Sequence, residues 1–452
     1  MRFHRETARW LLVFYVAAGL AAAAQEPPLT LRQAIERALS ASPAAREAAA
    51  DAQSARADAS LARTQLLPQL NITEDISRGD DPVYVFGSRL RQQAFTQASF
   101  ALNALNRPQP IGDFVSRFSG SWVAFDSLRT QKNIHSADLM KKSADSSAQA
   151  MHQKIELDVI VAYQSVLYAE RQIAIAQHEQ ETADALLSSV SEHVKAGLAV
   201  ESDRMSAEVN VAGRKQELIA AQGELAIAWA ELGTAMGDPD LKETALQPIA
   251  PHDFAQSDLN EELQSALKAR PDLGALKEAQ SAQAEAVSAA KAGFGPRVSA
   301  YGNWEQDRPT FAGSGGNHWV AGVQVSMDLA PFNKRAQVEH ELAAKNRVEA
   351  QVTDYRQQVR LQVTQAHIER QTALLSLQTA QAALDQSAES LRILRNRYGA
   401  GLATMTDLLH AEDAERQSQT NYWHAVYSNA VAYAQLLFAT GRLTPDAAEE
   451  LQ

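Results

Sequence analysis

Hydrophobic and polar positions follow two rhythms along this chain. The first has a period of 3.5. The stretch Asn333 to Tyr398 contains neither proline nor glycine. Within it Val359, Val363, Ala366, Ala373, Leu377, Ala380, Leu384, Ser387, Leu391, Leu394 and Tyr398 recur at steps of three and four, with Arg370 taking one place on the seam. That pattern predicts one α-helix supercoiled against neighbours, on the order of 100 Å long at about 1.5 Å per residue. It stops at Tyr398-Gly399-Ala400-Gly401-Leu402, and a second helical pattern, about Thr404 to Thr440, starts at once. An equivalent pair reads from Leu128 to Ala196 and from Val200 to Met236, across a turn at Gly197-Leu198.

The second rhythm has a period of two. Trp319, Ala321, Val323, Val325, Met327 and Leu329 alternate with Gly322, Gln324, Ser326 and Asp328. Phe114, Phe118 and Trp122 alternate with Arg117, Ser119 and Ser121; Val298, Ala300, Gly302 and Trp304 with Ser299, Tyr301 and Asn303; Leu70 and Ile72 with Gln69, Asn71 and Thr73. These four strands have one apolar and one polar face. In a soluble sheet the apolar face turns inward; in an outer-membrane barrel it turns to lipid and the polar face lines water. Alternation alone fits both. The aromatics Phe114, Trp304 and Trp319 near strand ends favour the membrane. Four strands cannot close a barrel, for which eight is the practical minimum, and an open sheet in lipid leaves backbone groups unpaired. Strands in a membrane therefore require several chains per barrel. The hairpin segments, Asp80 to Pro110 and Arg308 to His318, read as exposed loops.

The chain is a tandem duplication. An offset of 228 residues relates Pro43 to Pro271, Leu31 to Leu259, Ala38 to Ala266 and Pro68 to Pro296. An offset of 204 relates Leu157 to Leu361, Leu187 to Leu391, Gly197 to Gly401, Asp203 to Asp407 and Gly237 to Gly441. The first half thus carries 24 more residues between Pro68 and its long helix. Each half reads as a short helix, a medium helix, a β region, a long helix and a last helix. The organisation expected is a signal peptide at 1–24, a first repeat at 25–236, a linker at 237–258, a second repeat at 259–441 and a tail at 442–452.

The N-terminal segment supports that start. Met1-Arg2-Phe3-His4-Arg5 is basic, Trp10 to Leu20 is apolar, and Ala21 to Ala24 is a small-residue run. These are the parts of a secretory signal peptide, with cleavage after Ala24. The 452 residues carry a net charge of −12 and no cysteine. The charge argues against nucleic acid, and the missing cysteine excludes disulfides and thiolate metal sites. No catalytic constellation is visible, because the histidines are scattered and no phosphate-binding glycine motif stands between a strand and a helix. The chain therefore reads as a non-enzyme without cofactor or metal.

The two halves, the paired prolines, the strand-to-helix steps at Phe125-Asp126 and Phe332-Asn333, and the two Gly-Leu turns together resemble the TolC-like outer-membrane efflux proteins. The resemblance covers essentially the whole chain after Ala24. It implies a mainly α protein with a membrane β part: a homotrimeric α-helical barrel topped by a 12-stranded β-barrel, four strands per chain. It implies an outer-membrane channel of a tripartite efflux or type I secretion system, in contact with outer-membrane lipid and reaching through the periplasm. The partners implied are a periplasmic adaptor, or membrane fusion protein, and an inner-membrane transporter, whose pump sets the cargo. By the same resemblance the tips at Gly197, Leu198, Gly401 and Leu402 dock the adaptor, and Asp203, Tyr398, Asp407 and His410 fall on a periplasmic gate. Ala403 and His410 replace a basic and an acidic gate residue of the family's pattern, which points to a Tyr398–Asp203 hydrogen bond rather than a salt-bridged lock. A secreted structural or adhesive coiled coil without a channel is the competing reading.

Overall fold

A computed structural model describes residues 28–248, 258–330 and 332–447. The proposed signal peptide and part of the linker and tail lie outside them. Helices α1 (Leu31–Ala41) and α2 (Pro43–Thr64) lead to strand β1 (Gln69–Gly79). Helices α3 (Pro82–Arg91) and α4 (Leu102–Asn106) follow, then β2 (Ile111–Phe125), α5 (Arg129–Lys195) and α6 (Glu201–Met236). The order then returns: α7 (Leu259–Ala269), α8 (Pro271–Ala292), β3 (Arg297–Arg308), β4 (Gly316–Ser326), α9 (Phe332–Gly399) and α10 (Met405–Ala439).

The bends have local causes. Pro43 and Pro271 open α2 and α8 at the first helical position, where the missing N–H costs nothing. Helices α5 and α9 are 67 and 68 residues long, about 100 Å each. Every position of the α9 seam is buried or half-buried. Arg370 is tolerated there because its Nη1 donates to Asn429 Oδ1 on α10 at 2.5 Å and its guanidinium lies over Tyr433. The main core gathers α1, α5, α6 and the end of α10 around Ile35, Ile160, Tyr163, Leu232 and Leu437. Tyr163 donates its buried hydroxyl to the Leu29 carbonyl at 2.7 Å, which ties the N-terminal segment to α5.

The segment between β1 and β2 departs from the loop expected. Asp81 caps α3 by accepting from the Tyr84 N–H, with Pro82 in the first turn. Val85, Ser88 and Gln92 are buried. Gln92 Nε2 donates to Asp113 Oδ1 at 2.9 Å and to the Gly112 carbonyl at 3.0 Å. Edge-to-face contacts Phe86–Phe95 and Phe95–Phe100 tie the segment together, though Val83, Leu90 and Phe100 stay exposed.

Candidate functional site

The sheet is antiparallel in the order β1-β2-β3-β4. Its register puts Ile72, Phe118, Trp304 and Trp319 in one row across all four strands. Below that row the same face carries Leu70, Trp122, Ala300, Val323 and Val325; Leu70 is 83% exposed and Trp319 75%. One row beyond it the face turns polar, at Glu74, Ser116, Gln306 and Asn317. From Val298 to Trp304 the apolar band spans about 20 Å, close to the roughly 25 Å band with aromatic rims of membrane barrels. The opposite face is lined by rows such as Asn71-Ser119-Asn303 and Thr73-Arg117-Glu305-His318. The apolar face is thus left bare in this chain, while the far end of the opposite face, at Asp113, Glu305 and Asp307, is buried. Among the described residues no helix is long and apolar enough to cross a membrane.

At the other end lie the two hairpin tips. The Gly197 N–H donates to the Val194 carbonyl at 3.0 Å and the Leu198 N–H to the His193 carbonyl at 2.8 Å. The Gly401 N–H donates to the Tyr398 carbonyl at 2.9 Å and the Leu402 N–H to the Arg397 carbonyl at 2.8 Å. Both turns are thus Schellman caps, with glycine φ of +74° and +73°, a conformation that glycine adopts without strain. The residue after such a glycine usually packs back on its helix. Leu198 and Leu402 do not: they are 78% and 68% exposed.

The proposed gate residues fall at this end in different settings. Tyr398 packs against two small apolar clusters, Val190-Ala207-Met405 and Leu391-Leu408-Ala411. Burial pushes its phenol up, and the nearby Asp203 charge adds to that. Among the described residues no hydrogen bond joins Tyr398 to Asp203. Asp407 is committed locally: Oδ2 accepts from the Thr404 N–H at 3.0 Å and from the Thr404 hydroxyl at 2.7 Å, while Thr404 Oγ1 accepts from the Asp407 N–H at 3.1 Å. The Thr404 hydroxyl, then Arg397 and His410, hold the Asp407 carboxyl below its usual range. His410 is exposed on the next turn. The capping box was legible as Thr404-x-x-Asp407 ahead of an apolar helix. The sequence reading also passed over Glu305, Asp307 and His318, which the strands bring together on the polar face.

Three comparisons bear on this geometry. The family described as "Outer membrane efflux protein" matches residues 34–238 and 263–442. Protein CyaE of Bordetella pertussis is 24% identical over 432 residues, covering 92% of this chain and 86% of the relative. A membrane protein from Pseudomonas aeruginosa superposes with a TM-score of 0.79 at 20% identity, covering 91% of this chain and 93% of the other. The Campylobacter jejuni CmeC outer membrane channel gives 0.78 at 15% identity, covering 100% and 97%. The expected fold, long helices joined to a small antiparallel sheet, is therefore that of known channel proteins.

Proposed function

The chain belongs to the outer membrane efflux protein family, and from that premise we propose that three copies form one passive duct through the outer membrane and periplasm. It is an outer-membrane efflux or secretion channel rather than a secreted adhesive coiled coil. The duct serves tripartite efflux or type I secretion, takes its energy from an inner-membrane transporter, and catalyses no reaction.

The observation that carries the assembly is the set of contacts each half leaves open. Inside the chain the first half meets the second where β2 pairs with β3 and where α5 packs on α8 and on α10. The repeat-related mates are β4 with β1, and α9 with α2 and α6. Among the described residues these mates are not packed along their lengths: β1 and β4 end the sheet, and α9 packs on α7, α8 and α10, reaching α6 only near the tip, where Tyr398 lies by Ala207. The open faces are apolar. Leu361, Ile368 and Leu375 stand exposed on α9 at seven-residue intervals, and Met205, Val209, Ile219 and Ile227 stand exposed on α6. A second copy placed head to tail supplies each missing mate, and rotation closes the ring. Three copies give twelve strands, an even number within the range of single barrels.

In this reading Leu198 and Leu402, with Gly197 and Gly401, dock the periplasmic adaptor, and Tyr398, Asp203, Asp407 and His410 line the periplasmic entrance. The assembly is tested by purifying the chain in detergent: heat-modifiable trimers that conduct ions in planar bilayers are expected, and a soluble monomer overturns the duct. Leu402→Asp tests the docking. It is expected to leave trimers intact and to abolish export in cells, and undiminished export overturns the docking role.

A further inference from the structure

One cluster on the sheet's polar face is not used by the duct. Asp307 on β3 is fully buried, at 0% exposure, and neither of its carboxylate oxygens has a hydrogen-bond partner. A carboxylate withdrawn from water without a donor is strongly disfavoured, so positive charge has to come from somewhere. Glu305 is buried two residues earlier, on the same face, and pairs with the Arg117 guanidinium. His318 stands opposite Glu305 in the β3–β4 ladder. Its ring spans the two acids, with Nε2 3.0 Å from Glu305 Oε2 and Nδ1 3.5 Å from Asp307 Oδ2. One ligand atom from each of the three residues lies within 4.8 Å of the other two.

We propose that Glu305, Asp307 and His318 bind a first-row divalent transition metal, with Zn2+ as the best match. The donor set decides the class. One imidazole nitrogen with two carboxylates suits Zn2+ and its neighbours; Ca2+ takes six or more oxygens, and Cu+ prefers sulfur. Zn2+ bonds such donors at about 2.0–2.2 Å, so the ligand atoms must close to roughly 3.5 Å of one another, which side-chain rotation supplies. The charges agree. Asp113 adds a third buried carboxylate beside Asp307, whose positive neighbours are His318 and Arg91, while Arg117 is paired with Glu305.

The backbone around the cluster is built for closeness. Helix α3 covers it so tightly that a Cβ on Gly316 would lie 2.0 Å from the Arg91 carbonyl oxygen, and within the hairpin one on Gly315 would lie 1.9 Å from that of Asp307. The His318 side chain stays 42% exposed, which leaves an ion a way in. The ligands all come from one chain, so the site does not depend on how many copies assemble. In the duct it sits on the lumen wall at the end away from the helices, and ties the α3 cap to the strands beneath it.

The test uses the full-length trimer, free of affinity tags and stripped with EDTA. ZnCl2 is titrated by calorimetry into wild type, Asp307→Asn, His318→Gln and Asp354→Asn, the last a remote control on α9. The expected result is about one Zn2+ per chain in wild type and control, with binding at least tenfold weaker in the other two. His318→Gln, at a partly exposed position, keeps the test decisive if Asp307→Asn fails to assemble. No binding at one per chain, or equal binding in all four proteins, overturns the site. A melting temperature that responds to pH but not to Zn2+ assigns the missing charge to a proton and overturns it as well.

Discussion

Gly237 and Gly441, at the ends of α6 and α10, hold φ of +70° and +72°; Gly197 and Gly401, at the hairpin tips, hold +74° and +73°. All four close their helices with the same pair of backbone hydrogen bonds. Their surroundings are opposite. A Cβ on Gly237 would lie 3.0 Å from the backbone of Ala41 and Ser42, and one on Gly441 would lie 2.9 Å from that of Arg270. A Cβ on Gly197 or Gly401 would meet nothing within 4 Å. Ser42 and Arg270 are themselves repeat mates, each preceding the proline that opens α2 or α8. One turn motif thus serves to pack the chain against itself at its waist and to present bare side chains at its tip. The tip glycines are therefore needed for the turn alone, and the leucines that follow them, Leu198 and Leu402, are left bare.

The largest expected effect breaks that comparison if it fails. Gly237→Ala and Gly441→Ala combine a left-handed residue, about 1–2 kcal/mol, with overpacking, about 1–3 kcal/mol more. Both are expected to cut the yield of assembled protein sharply. Gly197→Ala and Gly401→Ala carry only the first cost. Thermal melts of all four in detergent measure the difference, and equal losses would mean that the waist packing contributes nothing.

A second expectation sharpens the waist. Glu156 lies on α5 beside the core residues Ile155 and Val159, buried, with Oε2 lacking any hydrogen-bond partner. Burial pushes its carboxyl up to about 7. The folded chain therefore keeps this proton up to about pH 7, whereas the unfolded chain releases it near 4.5. Between those values the folded state binds more protons, so stability falls as pH rises. Glu156→Gln is expected to raise stability at pH 8 by about 1–3 kcal/mol and to change little at pH 4.5. A melt that shifts equally at both pH values contradicts the burial account.

Most of this frame was readable in advance because its signals are local. The long helices read as Leu128 to Ala196 and Asn333 to Ala400 run Arg129–Lys195 and Phe332–Gly399, since a glycine turn follows each and the heptad carries no breaker between. What escaped depended on distance along the chain. Residues 80–110 read as loop by composition, yet Val85 and Ser88 are buried through contacts that α3 makes with β3 and β4, some 200 residues later. Asp307 lies beyond the alternation read from Val298 to Trp304, and nothing in its local sequence marks it as buried. Its burial comes from that same segment, and no periodicity within β3 encodes it. Tyr398 had two readings, seam residue and gate partner; its packing follows the seam, which the heptad already contained.

The smallest effect separates the two tips from each other. Thr404 and Val200 are repeat mates that open α10 and α6, each three residues before an aspartate. Thr404 completes a capping box with Asp407; Val200 offers no side-chain hydrogen bond, so Asp203 is spared that duty and its charge reaches Tyr398. Thr404→Ala is expected to cost about 1 kcal/mol, and Val200→Thr to add up to about 1 kcal/mol by completing the missing cap. If Asp203 helps to hold the entrance through Tyr398, drawing it into a cap with Thr at position 200 loosens that hold. Val200→Thr is then expected to melt higher and conduct more in planar bilayers than wild type. A variant that is more stable but no more conductive would leave Asp203 as a helix-start residue and remove it from the gate.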